Sequence, residues 1–475
     1  MRPLLSIALA LSLTGVTHAA GQATTLAPAD LERAAQLRDQ ALHDDTAWEF
    51  TEGLTTEVGP RLAAGPNDAR AREWVIARFK ALGFDKVWSE PVTYPKWVRH
   101  SESAEILAPF PQPLAIAALG YSPGTPAGGL DAEVVAFDSF AALEAADAAR
   151  VQGRIVYVGP RMAAKRDGAD YGIGSRVRTA GPALASRKGA AGFLLRSAGT
   201  GHDRFAHTGI THFPEGVTPI PAAALAGPDA DQLERILARG KPVRVRLALD
   251  CGMEGDYTGA NVIAELRGSS RPDEYFVMGG HLDSWDPGTG AIDDAAGIAI
   301  AAGAAHLIAA LPQRPARSIR VVAFANEEAG LYGGKAYAQA HKDEIAKAVL
   351  GSESDFGADR IWKITASVKP EARDAVAAMA NLMKPLGVEY DAGAPGHGGS
   401  DLSAVHGVGM AALSLHQDGT RYFDWHHTAN DTLDKIDPEQ LRQNVAVYAI
   451  AAYLAAQADG DFGSAPGAFA AEGGD

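Results

Sequence analysis

Tyr275-Phe-Val-Met-Gly-Gly-His-Leu-Asp283 is the stretch that decides the fold. Tyr275–Met278 is an unbroken apolar run closed by two glycines, which predicts a strand buried on both faces. The run leads into His281 and Asp283, and in open α/β sheets functional groups gather at the carboxyl ends of strands. Outward from it the chain alternates. Ala295–Leu311, Lys335–Lys347, Glu371–Leu386 and Pro438–Ala456 read as helices, and Ser318–Ala325, Ala348–Gly351 and Met410–Leu415 as strands. This alternation predicts an α/β layer fold with helices on both faces of the sheet.

Three more of these strands end in the same way. Ser318–Ala325 runs into Asn326-Glu327-Glu328, Ala348–Gly351 into Asp355, and Met410–Leu415 into a loop bearing His426-His427. Asp293-Asp294 opens the helix at Ala295. Two divalent ions need about five side-chain ligands with one carboxylate shared between them, and these clusters supply that set. Imidazole and carboxylate donors suit zinc best, with cobalt or manganese as substitutes. One ion falls to His281, Asp355 and the Asp293-Asp294 pair. The other falls to the same aspartate pair together with the Glu327-Glu328 and His426-His427 pairs. Asp283 is suited to accept the other ring N–H of His281. The glutamate that does not ligate can face the attacking water and take its proton. Taken singly, each acid reads as a surface charge, Glu327-Glu328 as an acidic helix start and Asp294 as a helix cap. Their joint placement at strand ends argues for one centre.

Composition bounds the remaining choices. At 475 residues the chain is long enough for two or three domains, and its 47 % hydrophobic content allows a large core. Lys+Arg 43 against Asp+Glu 58 leaves a net charge of −15, which argues against a nucleic-acid partner. Met1-Arg2, the apolar Leu4–Val16 and the small residues ending at Ala20 form a secretory signal pattern over residues 1–20, cleaved near Ala19 or Ala20. A secreted or periplasmic location is expected. No membrane span is expected after cleavage, because Ala295–Leu311 is Ala- and Gly-rich and reads as a core helix. Cys251 is the only cysteine, so no disulfide framework forms within the chain.

The alternating unit is interrupted. Residues 21–115 carry a helix at Ala69–Leu82 and short strands at Lys86–Thr93 and Ala104–Leu107. Residues 116–251 read as an inserted α/β module with no metal-type cluster of its own. It holds strands at Ala132–Phe137, Arg154–Val158, Gly192–Leu195 and Val243–Leu249, and a helix at Ala180–Lys188. Residues 252–460 resume the first unit, and 461–475 form a flexible Gly/Ala/Asp-rich tail.

The metal-type clusters, in this order, resemble the co-catalytic zinc peptidase family of secreted bacterial aminopeptidases and glutamate carboxypeptidases. The likeness runs through Gly280-His-Leu-Asp-Ser-Trp-Asp286, Gly290-Ala-Ile-Asp-Asp294, Glu327-Glu328, Glu353-Ser-Asp355 and His426-His-Thr-Ala-Asn-Asp-Thr432. It extends to Val58-Gly-Pro-Arg-Leu62 and His207-Thr-Gly209. It implies a three-layer, aminopeptidase-like zinc-peptidase domain with a mixed sheet, interrupted by a protease-associated domain over 116–251. Two zinc ions per chain are implied, held by His281, Asp293, Glu328, Asp355 and His427, with Asp293 shared. Glu327 is implied as the general base, and Asp283 stands with it as a catalytic residue. His397 and Ser400, in the Gly-rich loop Gly396–Asp401, are candidates for the substrate pocket. The resemblance further implies an exported homodimer that hydrolyses dipeptides or small peptides in carboxypeptidase fashion. The alternative is a di-zinc aminopeptidase acting on longer peptides. A binding protein without activity would have lost ligands or base, and all six positions are filled. Ser400 lacks the trailing glycine of a nucleophile elbow, which argues against a serine hydrolase.

Overall fold

The computed structural model describes residues 22–470. The expected signal peptide lies outside the described residues, as do residues 471–475. The strand expected at Tyr275–Met278 runs Arg271–His281. Successive side chains on a strand point to opposite faces. Phe276 and Met278 accordingly join one apolar cluster, with helices Ala296–Ala309 and Pro438–Gln457. Tyr275 and Val277 join another, with Tyr337, Leu402 and Val405. Strand Arg317–Phe324 splits the same way, Ile319 and Val321 on the first side and Val322 and Phe324 on the second. A sheet covered on both faces requires apolar residues at every position, which is why these strands lack alternation.

Arg271–His281 is flanked in parallel by Arg317–Phe324 and by Ala348–Glu353, and Ala412–Gln417 continues in the same sense. Ile361–Ser367 then pairs antiparallel with Ala412–Gln417, so the sheet is mixed. All carboxyl ends of the parallel strands point to one edge. Helix Ala291–Ala309 is long and apolar enough to cross a membrane, but 89 % of its most apolar window is buried within the protein, as expected for a core helix.

Several elements differ from expectation. Lys86–Ala108 is one strand, not two, and Arg244–Leu266 is likewise continuous. They pair antiparallel along their lengths, with register shifts that carry the ladder through polar segments unreadable as strand. The boundary expected at 251/252 therefore falls inside a strand. One end of Arg244–Leu266 pairs with Arg317–Phe324 and the other with Leu130–Phe137, so a single ladder runs into residues 116–251. There, Leu130–Phe137, Ile155–Val158, Gly192–Arg196 and Ala222–Leu225 are parallel, with one apolar cluster of their own and another shared with Trp97, Ile106 and Trp285. The helix expected at Ala180–Lys188 runs Tyr171–Arg187 despite Pro182, because packing overrides the glycine and proline signals. The tail expected to fray from 461 is held as far as it is described. Phe462 is fully buried, and Ser464 donates to the Ala348 carbonyl at 2.6 Å.

Candidate metal centre

His281 ends its strand fully buried, with Nε2 3.0 Å from Asp293 Oδ1 and 3.4 Å from Asp355 Oδ1. The other oxygen of Asp293 turns the opposite way. It lies 3.3 Å from His427 Nε2 and 3.4 Å from His426 Nε2. His427 Nε2 is in turn 2.9 Å from Glu328 Oε2. Two sets of donor atoms thus converge, each within 4.8 Å: His281, Asp293 and Asp355, and Asp293, Glu328 and His427. Asp293 belongs to both, and these are the two sets implied by the sequence.

The loop geometry places each group. Asp293 and Asp294 have non-helical backbone angles at the entrance to helix Ala296–Ala309. Asp294 points back, accepting from His281 N at 3.0 Å and Gly297 N at 3.1 Å, so it joins strand to helix. A Cβ on Gly280 or Gly297 would overlap the Asp294 carboxylate, so glycine is required at both. Asp431 accepts from Ala291 N and Ile292 N, each at 2.7 Å, which fixes the loop before Asp293. Asp355 accepts the Ser400 hydroxyl.

Asp283 differs from expectation. The backbone carbonyl of Asp283, not its carboxylate, lies 2.9 Å from His281 Nδ1; the nearer carboxylate oxygen is 3.7 Å away. The carboxylate instead accepts from Glu327 N at 3.0 Å and Glu328 N at 3.4 Å. The Asp283 carboxylate stays close enough to act on the imidazole by charge while its hydrogen bonds go to the next strand end.

The electrostatics call for a cation. Burial, reinforced by the Asp355 charge, pushes the Glu327 carboxyl well above its usual range, and burial also raises Glu328. Burial would lower His281, but the carboxylates of Asp355, Asp283 and Asp293 outweigh it and hold it well above the ordinary histidine range. His427, lowered by burial and raised more by Glu328 and Asp293, reaches about 9. Glu328 Oε1 is buried without a hydrogen-bond partner, and Asp293 Oδ2 is buried with only the His426 and His427 imidazoles facing it, at 3.4 and 3.3 Å. Unpaired buried oxygens are costly unless a cation satisfies them, and the imidazole–carboxylate donor set fits a divalent ion.

Comparisons with known proteins give the family. The model of peptidase family M28 matches residues 261–452. Carboxypeptidase Q of Mus musculus is 33 % identical over 88 % of this chain and 87 % of its own length. The chain belongs to peptidase family M28. The Homo sapiens carboxypeptidase Q is 34 % identical, covering 85 % of this chain and 84 % of its own. A solved M28 peptidase precursor from Shewanella amazonensis superposes with a TM-score of 0.89 at 47 % identity, over 92 % of this chain and 99 % of the other. An aminopeptidase from Aneurinibacillus shares the fold, with a TM-score of 0.59 at 22 % identity, over 91 % and 98 % of the two chains.

In this M28 peptidase a cavity of about 440 Å³ opens beside Asp355, bordered by Glu353, His397, Ser400, Ser414 and His416, with Asp167 on its rim. His397 and Ser400 therefore share a cavity, but only Ser400 touches a ligand-type residue; His397 is exposed and stacks edge-on with His406. Residues 116–251 were expected to hold no metal-type cluster of their own; one histidine of that segment, His207, is buried 5.0 Å from the His426 ring and 5.8 Å from that of His427. His207, His426 and His427 form a third potential donor set, sharing His427 with the second. Arg178 and Thr208, from the same segment, reach His427 Nδ1. His207-Thr-Gly209, part of the family resemblance, was the one sequence signal for this contact, and spacing alone gave it no role.

Proposed function

We propose that this M28 peptidase is a two-zinc exopeptidase that releases amino acids from dipeptides or small peptides, in the manner of carboxypeptidase Q. The observation that carries the reading is Asp293, whose two oxygens face two separate imidazole–carboxylate sets. His281, Asp293 and Asp355 would hold one zinc ion, and Asp293, Glu328 and His427 the other. When bound, the ions act as Lewis acids and make a site water acidic near neutral pH.

The rest is done by the chain. Glu327, beside the ligand set and with a raised affinity for protons, takes the proton of the attacking water and passes it to the leaving amine. Asp283 fixes the backbone of Glu327 and Glu328, so the base and its neighbouring ligand diverge from one anchored turn. Ser400 holds Asp355 by its hydroxyl. The cavity, at about 440 Å³, lies at the low end of the ~300–1,000 Å³ typical of small-ligand sites, which suits a short peptide. His397 and Ser400 would line the substrate. Residues 116–251 would be a protease-associated insert, residues 1–20 an export signal, and the working unit a homodimer.

Glu327→Gln tests the mechanism. Zinc content should stay unchanged while kcat falls by about 10²–10⁴-fold; full turnover would remove Glu327 from the reaction. Polarity is tested separately with dipeptides blocked at one end. Cleavage of N-acetylated and not of C-amidated dipeptides is expected. The reverse pattern would make the protein an aminopeptidase.

A further inference from the structure

The inserted segment places a buried cation behind His427. Arg178, on helix Tyr171–Arg187, is only 6 % exposed. Its Nη1 lies 3.3 Å from the Thr208 carbonyl and 3.4 Å from His427 Nδ1, its guanidinium lies 5.5 Å from the Tyr171 ring, and Nε has no partner. None of these contacts is a carboxylate. A guanidinium kept from water without a directly paired anion is costly, so its placement needs a reason beyond packing.

The reason lies in the shared carbonyl. Thr208 O is 3.2 Å from His427 Nδ1, and Thr208 N donates to the His427 carbonyl at 3.0 Å. A guanidinium has only donors, and it cannot bond an Nδ1 that carries a proton. A carbonyl has two lone pairs and can accept from both. Arg178 and the His427 Nδ1–H therefore converge on Thr208 O. With Nδ1–H held there, Nε2 is the nitrogen aimed at Asp293 and Glu328, where it would offer its lone pair to a bound ion. Gly209, with φ of 137°, completes the seat, because a Cβ there would overlap the guanidinium.

We infer that Arg178 is a positioning residue for His427: it anchors the Thr208 carbonyl that sets the tautomer and direction of this imidazole. The inserted segment thereby determines how tightly the Glu328–His427 side of the centre holds its ion. The inference rests on the two-ion reading above.

The test is titration of metal-free, full-length protein with Co²⁺, followed by visible absorption and calorimetry. Wild type should bind in two steps, and His427→Ala identifies the step belonging to its side. Arg178→Met should weaken that step by about 10–100-fold and alter its absorption band, leaving the other step within about twofold. Arg178→Gln, which can donate to the Thr208 carbonyl without charge, should recover most of the loss. If Arg178→Met does not fold, Arg178→Leu serves instead, since it too removes every donor to the Thr208 carbonyl; the same single step should weaken. Both steps weakened equally, neither weakened, or no recovery with Gln would overturn the inference. A single step in wild type would remove the two-ion reading and the inference with it.

Discussion

At the scale of single residues, Asp283 shows how little of the centre is held by the ligands alone. Its carboxylate accepts from two successive backbone N–H groups and so sets the turn from which Glu327 and Glu328 leave. Asp283→Ala should therefore reduce metal affinity or turnover by about 10–100-fold with little change in secondary structure. Metal content, kcat/KM and circular dichroism would check this; wild-type values on the first two would show that the turn holds itself. The candidate ligands were legible because each follows an apolar strand or opens an apolar helix. The partner of Asp283 was not, because the choice between a contact two residues away and one 44 residues away depends on where the next strand ends. Arg178 was less legible still. It lies 249 positions from His427, on a helix whose sequence gives no sign that this arginine turns inward.

At the scale of elements, the legible strands were those buried on both faces. Ile361–Ser367 escaped notice because its irregular burial and Lys363 produce neither an apolar run nor a strict alternation. The strand Lys86–Ala108 was legible only at its two ends, because the stretch between Thr93 and Ala104 carries a proline, charges and serines rather than an apolar run. That strand is tied to helix Tyr332–His341 by a titratable contact: His341 Nε2 lies 3.2 Å from both oxygens of Glu90. Burial lowers His341, but hydrogen bonds with Glu90 and Glu344 outweigh it, and the net shift is upward from 6.5. Burial raises Glu90, but His341 and Trp88 bring it below 4.5. A raised histidine contributes stability that is full below its unfolded pKa and is lost as pH climbs through the folded one. A lowered glutamate contributes above its unfolded pKa and loses that contribution on acidification. The contact is thus strongest between pH 4.5 and 6.5. His341→Gln should lower stability by about 1 kcal/mol at pH 6 and by less at pH 9. Denaturation curves at both values would check it; an equal loss would assign the effect to packing.

At the scale of the whole molecule, the sequence carried the central sheet but not the way residues 116–251 close on it. Arg166 pairs with Asp418 at 2.8 Å and its carbonyl accepts from Gly419 N at 2.8 Å, beside the cavity rim at Asp167. Tyr171 stacks on Phe423, and Asp203 accepts from Asn430 at 2.7 Å. These contacts join residues more than 200 positions apart, beyond the reach of any local pattern. They set His207 and Arg178 against the loop bearing His427, so the centre is built by both parts of the chain.

The central claim is that one aspartate, Asp293, divides a binuclear site. It is tested most directly by an anomalous difference map at the zinc edge from crystals grown with zinc. The account predicts two peaks flanking Asp293, one against His281 and Asp355, the other against Glu328 and His427. A single peak, or a peak enclosed by His207, His426 and His427 with none beside His281, would contradict it.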